Sequence, residues 1–171
     1  AGGNASGLTG APPYQKRFGE LFCEMLEKGY GCKTRVFNTA VGGTASEWGL
    51  KEAGERAQKY GADLNIIAFG MNDGSGHVPP EKFKQNIKGI IDAVRSENKN
   101  AEFLLVTSIL PNTEACLFGI QESYPEVLWE LAGEGIFVAD IMPVHRELLT
   151  AKRYIDMTGN NVNHPNDYMH R

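Results

Sequence analysis

Short apolar runs of strand length alternate along this chain with amphipathic helical stretches, and that alternation admits few folds. The runs cover residues 34–38, 64–69, 103–107 and 136–140. Between them lie helix patterns at 14–28, 46–60, 80–95 and roughly 121–133, with a possible break at Pro125, then a short helix at 143–149 and a helix start at Pro165. Phe83, Ile87, Ile90, Ile91 and Val94 recur at three- and four-residue steps, so one side of the 80–95 helix faces a core. The same spacing puts Phe18, Leu21, Phe22, Met25 and Leu26 on one side of the 14–28 helix, with Cys23 a small residue of that side and Gly29 its C-cap. Ser46 is expected to cap its helix, and Gly61 to stop it. Strands alternating with helices predict an α/β protein: a parallel sheet covered by helices on both faces, α/β/α, with function at the carboxyl ends of the strands.

Composition narrows the function classes. The chain has 171 residues, the size of one domain, with 42% hydrophobic and 22% charged residues, as in an ordinary globular protein. A net charge of −4 and the lack of a basic run argue against nucleic acid as a main partner. No apolar run is long enough to span a membrane, and no signal-peptide pattern is visible. The three cysteines lack metal spacing, and no cofactor or metal is expected.

Three segments carry chemistry. Asn38-Thr39-Ala40-Val41-Gly42-Gly43-Thr44 follows the 34–38 run, and its paired glycines let the backbone turn sharply with bare N–H groups, which suit an oxyanion. The competing reading is an ordinary strand-to-helix turn. Gly70-Met71-Asn72-Asp73 follows the 64–69 run; Asn72 can aim a carboxamide into a cleft, or serve as a turn residue. His164 sits before Pro165 in an Asn-rich loop, where proline suits a helix start and the ring can act as a general base.

In this order the three segments resemble the SGNH/GDSL hydrolase family. The resemblance spans nearly the whole chain. It implies the flavodoxin-like sheet with strand order 2-1-3-4-5. It makes Gly43 and Asn72 the oxyanion donors and His164 the catalytic histidine. The family's nucleophile is the serine of a Gly-Asp-Ser block after the first strand. No Gly-Asp-Ser occurs here. The opening Ala1-Gly2-Gly3-Asn4 resembles text that follows that block, so the serine is expected before Ala1. Ser6, Ser46, Ser75, Ser108 and Ser123 do not sit where the family puts its nucleophile.

The family's acid, three residues before the histidine, is here Asn161. It can orient an imidazole but not neutralise it. Asp156 is the alternative acid, and Asp140 a weaker one. The resemblance further implies one domain over residues 1–171 that lacks its first, central strand and part of its C-terminal helix. That strand would come from an upstream segment or a second chain.

The expected activity is hydrolysis of small acyl esters, acetyl above all, on a carbohydrate. Trp48 and His77 are candidate substrate-binding residues, among polar loops that include Asn4, Ser75, Asn112 and Asn163. Asp73 is read as a turn-stabilising partner. The partner is then a small-molecule or glycan ester, and a secreted or periplasmic setting is favoured over the cytoplasm. The rivals are a glycan-binding module without a nucleophile and a flavodoxin-like phosphate binder at Gly42-Gly43-Thr44. The latter lacks a P-loop pattern.

Overall fold

The computed structural model describes residues 18–115 and 117–170. The expected helix start at Tyr14, and the Ser6 and Asn4 loop, lie outside the described residues. In chain order the elements are α1 (Phe18–Tyr30), α2 (Ser46–Lys51), α3 (Ala53–Arg56), a 3₁₀ turn (Gln58–Tyr60), β1 (Leu64–Ile67), α4 (Met71–Ser75) and α5 (Pro80–Glu97). Then follow β2 (Glu102–Val106), a 3₁₀ turn (Gln121–Ser123), α6 (Tyr124–Trp129), β3 (Ile136–Ala139), α7 (Met142–Leu148), α8 (Tyr154–Met157) and α9 (Asp167–His170). The strands pair in parallel in the order β1-β2-β3. This is the α/β architecture the alternation predicts.

The register explains which residues form the core. Ile67, Leu105 and Val138 stand side by side on one face, as do Ile66, Leu104 and Phe137 on the other. The first face meets α5. Its Phe83, Ile87, Ile90, Ile91 and Val94 are all buried, as their spacing requires, and they pack with Phe103, Leu105, Tyr124, Val127 and Leu128. Burying one such side chain fully contributes about 1.5–3 kcal/mol, so this row fixes α5 on the sheet. On the opposite face Ile66 and Phe137 remain exposed among the described residues.

Several boundaries differ from the sequence reading. Residues 34–38 form no strand. A strand exists only through a ladder to a neighbour, and among the described residues none is offered to this segment or to the outer edge of β1. Side chains hold the segment instead: Thr34 donates to the Glu27 carboxylate through N and Oγ1, at 2.8 and 2.6 Å. The Phe37 ring lies 4.5 Å from that of Tyr60, and Thr39 Oγ1 donates to Arg56 O. The expected 46–60 helix breaks into α2, α3 and a 3₁₀ turn, which Gly61 ends in the left-handed region at φ 54°. The sequence reading missed α4 and α8. The helix expected from Pro165 begins at Asp167, because Asn166 Oδ1 accepts the N–H groups of Tyr168 and Met169 and so caps it. Pro165 instead forms an antiparallel bridge with Thr158.

Candidate active site

The site is assembled where β1 ends. Gly70 adopts φ 120° and turns the chain into α4, which carries Asn72 and Asp73 in its first turn. Asp73 is fully buried. Its Oδ1 accepts the N–H (2.9 Å) and the hydroxyl of Ser46, and its Oδ2 accepts Gly70 N–H at 3.1 Å. Asn86 of α5 donates to Ser46 Oγ at 2.9 Å, extending the chain of bonds into the core. Ser46 is therefore no cap: Ala45 holds that position, and the Ser46 hydroxyl is consumed by Asp73. The negative charge of Asp73, after burial, helps push the Tyr124 phenol well above its ordinary range.

This buried carboxylate ties the start of α2 to the start of α4, and so brings Asn72 to the segment that carries Gly43. Asn72 Nδ2 donates to Thr44 O at 2.9 Å, across a separation of 28 residues. Gly43, next in the chain to Thr44, takes φ 77°, a conformation that favours glycine. A Cβ at Gly43 would meet nothing within 4 Å, so the side where a side chain would stand is open. Its N–H donates to nothing among the described residues.

His164 lies in the loop after α8. Its N–H donates to Asn160 Oδ1 at 3.0 Å, and its carbonyl accepts Gly159 N–H at 2.8 Å. Its ring makes no hydrogen bond among the described residues. The loop is held by the segment that follows β2. Asn112 donates from N to Val162 O (3.0 Å) and from Nδ2 to Asn161 O (2.8 Å), and Tyr154 OH bridges Leu110 O and Val162 O. Burial pushes that phenol up to about 12, so it stays a donor. Behind Leu110 the fully buried His145 accepts Leu110 N–H through Nδ1 at 3.0 Å; burial holds this imidazole below its usual range. Gly43, Asn72 and the His164 loop thus all hang from segments at the carboxyl ends of strands, or from loops bound to them. No hydrogen bond among the described residues joins His164 to Asn72 or Gly43.

The remaining candidates each have surroundings of their own. Asp156 is exposed, and both its oxygens are held by Arg153, through N, Nε and Nη2, which keeps its carboxyl below the usual range. Asp140 accepts Thr107 Oγ1 and Met142 N–H, a turn at the start of α7. Asn161 takes φ 54°, and its carboxamide has no partner among the described residues. Ser75 and Ser123 donate their hydroxyls to backbone carbonyls. Trp48 is half-buried on α2 and faces an open groove lined by Glu47, Leu50, Lys51 and Lys82, with the Arg56 guanidinium 5.5 Å from its ring. His77 is an exposed loop residue at φ 53° between α4 and α5. The described residues contain no cluster suited to a metal ion and no helix long and apolar enough to cross a membrane. Sequence reasoning missed Tyr154 and Asn160, and it placed Asn112 among the polar loops near the site without its bonds to the His164 loop.

Over residues 1–171 the sequence matches the GDSL-like lipase/acylhydrolase family. The chain belongs to that family. Solved structures share the fold at low identity. An α/β hydrolase enzyme from the metagenome of Lake Arreo, Spain, superposes with TM-score 0.73 at 16% identity, covering 96% of this chain and 82% of its own. An acetylxylan esterase from Geobacillus stearothermophilus gives 0.75 at 16% identity, over 94% and 78%. A two-domain esterase active on acetylated mannans gives 0.74 at 21% identity, over 97% of this chain and 43% of its own. No curated protein matches the sequence.

Proposed function

We propose that this GDSL-family hydrolase is a serine esterase that removes small acyl groups, acetyl above all, from carbohydrate. The observation that carries the reading is the bond from Asn72 Nδ2 to Thr44 O. It brings a carboxamide to the residue after Gly43, whose own N–H is unengaged among the described residues, and this supports a two-donor cradle for a developing oxyanion. One Asn72 amide proton is spent on Thr44, which fixes the plane of the amide and leaves the second proton for the ester oxygen.

The nucleophile in this reading is the serine of a Gly-Asp-Ser block, a segment the 171 residues do not contain. Its hydroxyl attacks the ester carbonyl while His164 takes its proton. The tetrahedral oxyanion rests on Gly43 N–H, Asn72 Nδ2 and the serine's own N–H. His164 then returns the proton to the leaving alcohol, and water repeats the sequence on the acyl-enzyme. For the second imidazole nitrogen, Asn161 is the better partner than Asp156: its carboxamide is unengaged, whereas both Asp156 oxygens hold Arg153. A neutral acceptor orients the ring without neutralising it. Activity toward acetylated mannan and the acetylxylan esterase name, both among the similar folds, support an acetylated glycan as substrate. Trp48, in its open groove, offers a flat face to a sugar ring.

The test uses the full-length protein and a chromogenic acetyl ester. His164→Ala should abolish turnover and labelling by a fluorophosphonate. Asn72→Ala should lower kcat by about 10²–10³. An intact protein that binds acetylated oligosaccharide but neither turns over esters nor labels would instead be a glycan-binding module.

A further inference from the structure

The loop that bears His164 is organised around a single side chain. Asn160 Oδ1 accepts three consecutive backbone N–H groups, those of Val162, Asn163 and His164, each at 3.0 Å. Its Nδ2 donates to Asn163 Oδ1 at 3.1 Å. Without that oxygen, three amides would converge on one point with no acceptor. Asn163 is itself only 8% exposed, so its N–H has little water to turn to. Outside this knot the loop is closed by Gly159 N–H to His164 O and by the bridge between Thr158 and Pro165. His164 is therefore fixed on both sides of its Cα: its N–H by Asn160, its carbonyl by Gly159, with a proline following.

We propose that Asn160 is the positioning residue for the catalytic histidine: its carboxamide oxygen, by gathering the N–H groups of residues 162–164, sets the direction in which the His164 ring leaves the backbone. This rests on the esterase reading of His164. Asn160 touches no substrate; it acts through the Cα–Cβ direction of His164, and a misplacement of about 1 Å in a catalytic group can cost roughly 10²-fold in rate. The left-handed conformation of Asn161 is part of the device, since it folds the chain back tightly enough for one oxygen to reach three amides. It also turns Asn161 O toward Asn112 Nδ2, so the turn is gripped from the opposite side.

Two variants of the full-length protein test this. Asn160→Ala removes the acceptor. Asn160→Asp keeps an oxygen in the same place, and the Asn163 carboxamide can rotate to donate to it. Asn160→Ala should lower kcat roughly 10²-fold with KM changed less than about twofold. It should speed amide hydrogen exchange at Val162, Asn163 and His164 by about tenfold or more, with Ile87, Ile90 and Ile91 of α5 unchanged. Asn160→Asp should restore kcat to within about tenfold of the wild type and slow the three amides again. An active wild type whose Asn160→Ala variant keeps kcat within about threefold would overturn the proposal alone. So would failure of Asn160→Asp to restore either readout. A wild type inert to both acetyl ester and fluorophosphonate would overturn the esterase reading, and this one with it.

Discussion

Asp73→Asn tests whether a buried carboxylate holds the starts of α2 and α4 together. Asp73 is fully buried and accepts from Ser46 N, Ser46 Oγ and Gly70 N. Asparagine has the same shape but only one acceptor oxygen. If that oxygen keeps the Ser46 pair, Nδ2 must face Gly70 N–H, and two donors oppose each other in a dry site. Leaving one buried donor unsatisfied costs about 1–3 kcal/mol. The two surviving bonds change from charge-assisted to neutral, which roughly halves their strength and costs about 0.5–1 kcal/mol each. The sum is about 2–5 kcal/mol, a large part of the 5–15 kcal/mol typical of a domain. For a chain of this size that lowers Tm by roughly 4–20 °C. Urea unfolding of wild type and variant measures the difference directly. Because the same carboxylate joins Ser46 to Gly70, kcat should fall at temperatures where the variant is still folded, as Asn72 drifts from Thr44. A variant within about 0.5 kcal/mol of wild type would refute the argument, since it would mean that Gly70 N–H finds another acceptor.

Two further predictions concern the frame behind the site. Gly74→Ala should destabilise by about 1–3 kcal/mol in urea unfolding. A Cβ there would strike the Gln121 side chain and lie 2.8 Å from its backbone nitrogen, and Gln121 cannot swing aside because Nε2 donates to Met71 O, Ser75 Oγ and Leu117 O. Stability should also fall on acidification. Burial depresses the folded-state pKa of His145, so the unfolded chain takes up protons first. The contribution is complete above the ordinary histidine value of 6.5 and fades as pH drops below it toward the depressed value. His170, depressed by burial and partly offset by Asp167, acts with the same sign. Urea midpoints between pH 7 and pH 5 measure the slope, and His145→Asn, which keeps an acceptor for Leu110 N–H, should flatten it.

Much of this was legible in the sequence, for reasons that can be named. The α5 face was readable because a long helix on a sheet repeats one requirement five times over. The left-handed turn at Gly43 was readable because paired glycines mark such a turn. The strand at 34–38 misled because strand propensity describes a side-chain pattern, whereas a strand needs a partner. Ser46 misled because a capping residue and a ligand to a buried carboxylate look alike in a string of letters. Asp73 read correctly as a turn partner, but its reach to a residue 27 positions earlier was invisible. The bonds of Asn112 and Asn160 were hidden because asparagine in a loop is ordinary: only the fold says whose carbonyls the first serves and whose amides the second gathers.

The His164 loop is stitched by carboxamides, a phenol and main-chain groups. Between Thr158 and Asn166 its sequence holds no aspartate, glutamate, lysine or arginine. Its internal bonds therefore join neutral groups, and salt has no ion pair there to screen. A scaffold of that kind should keep its geometry from dilute buffer to molar salt, with kcat toward a neutral ester nearly the same in both.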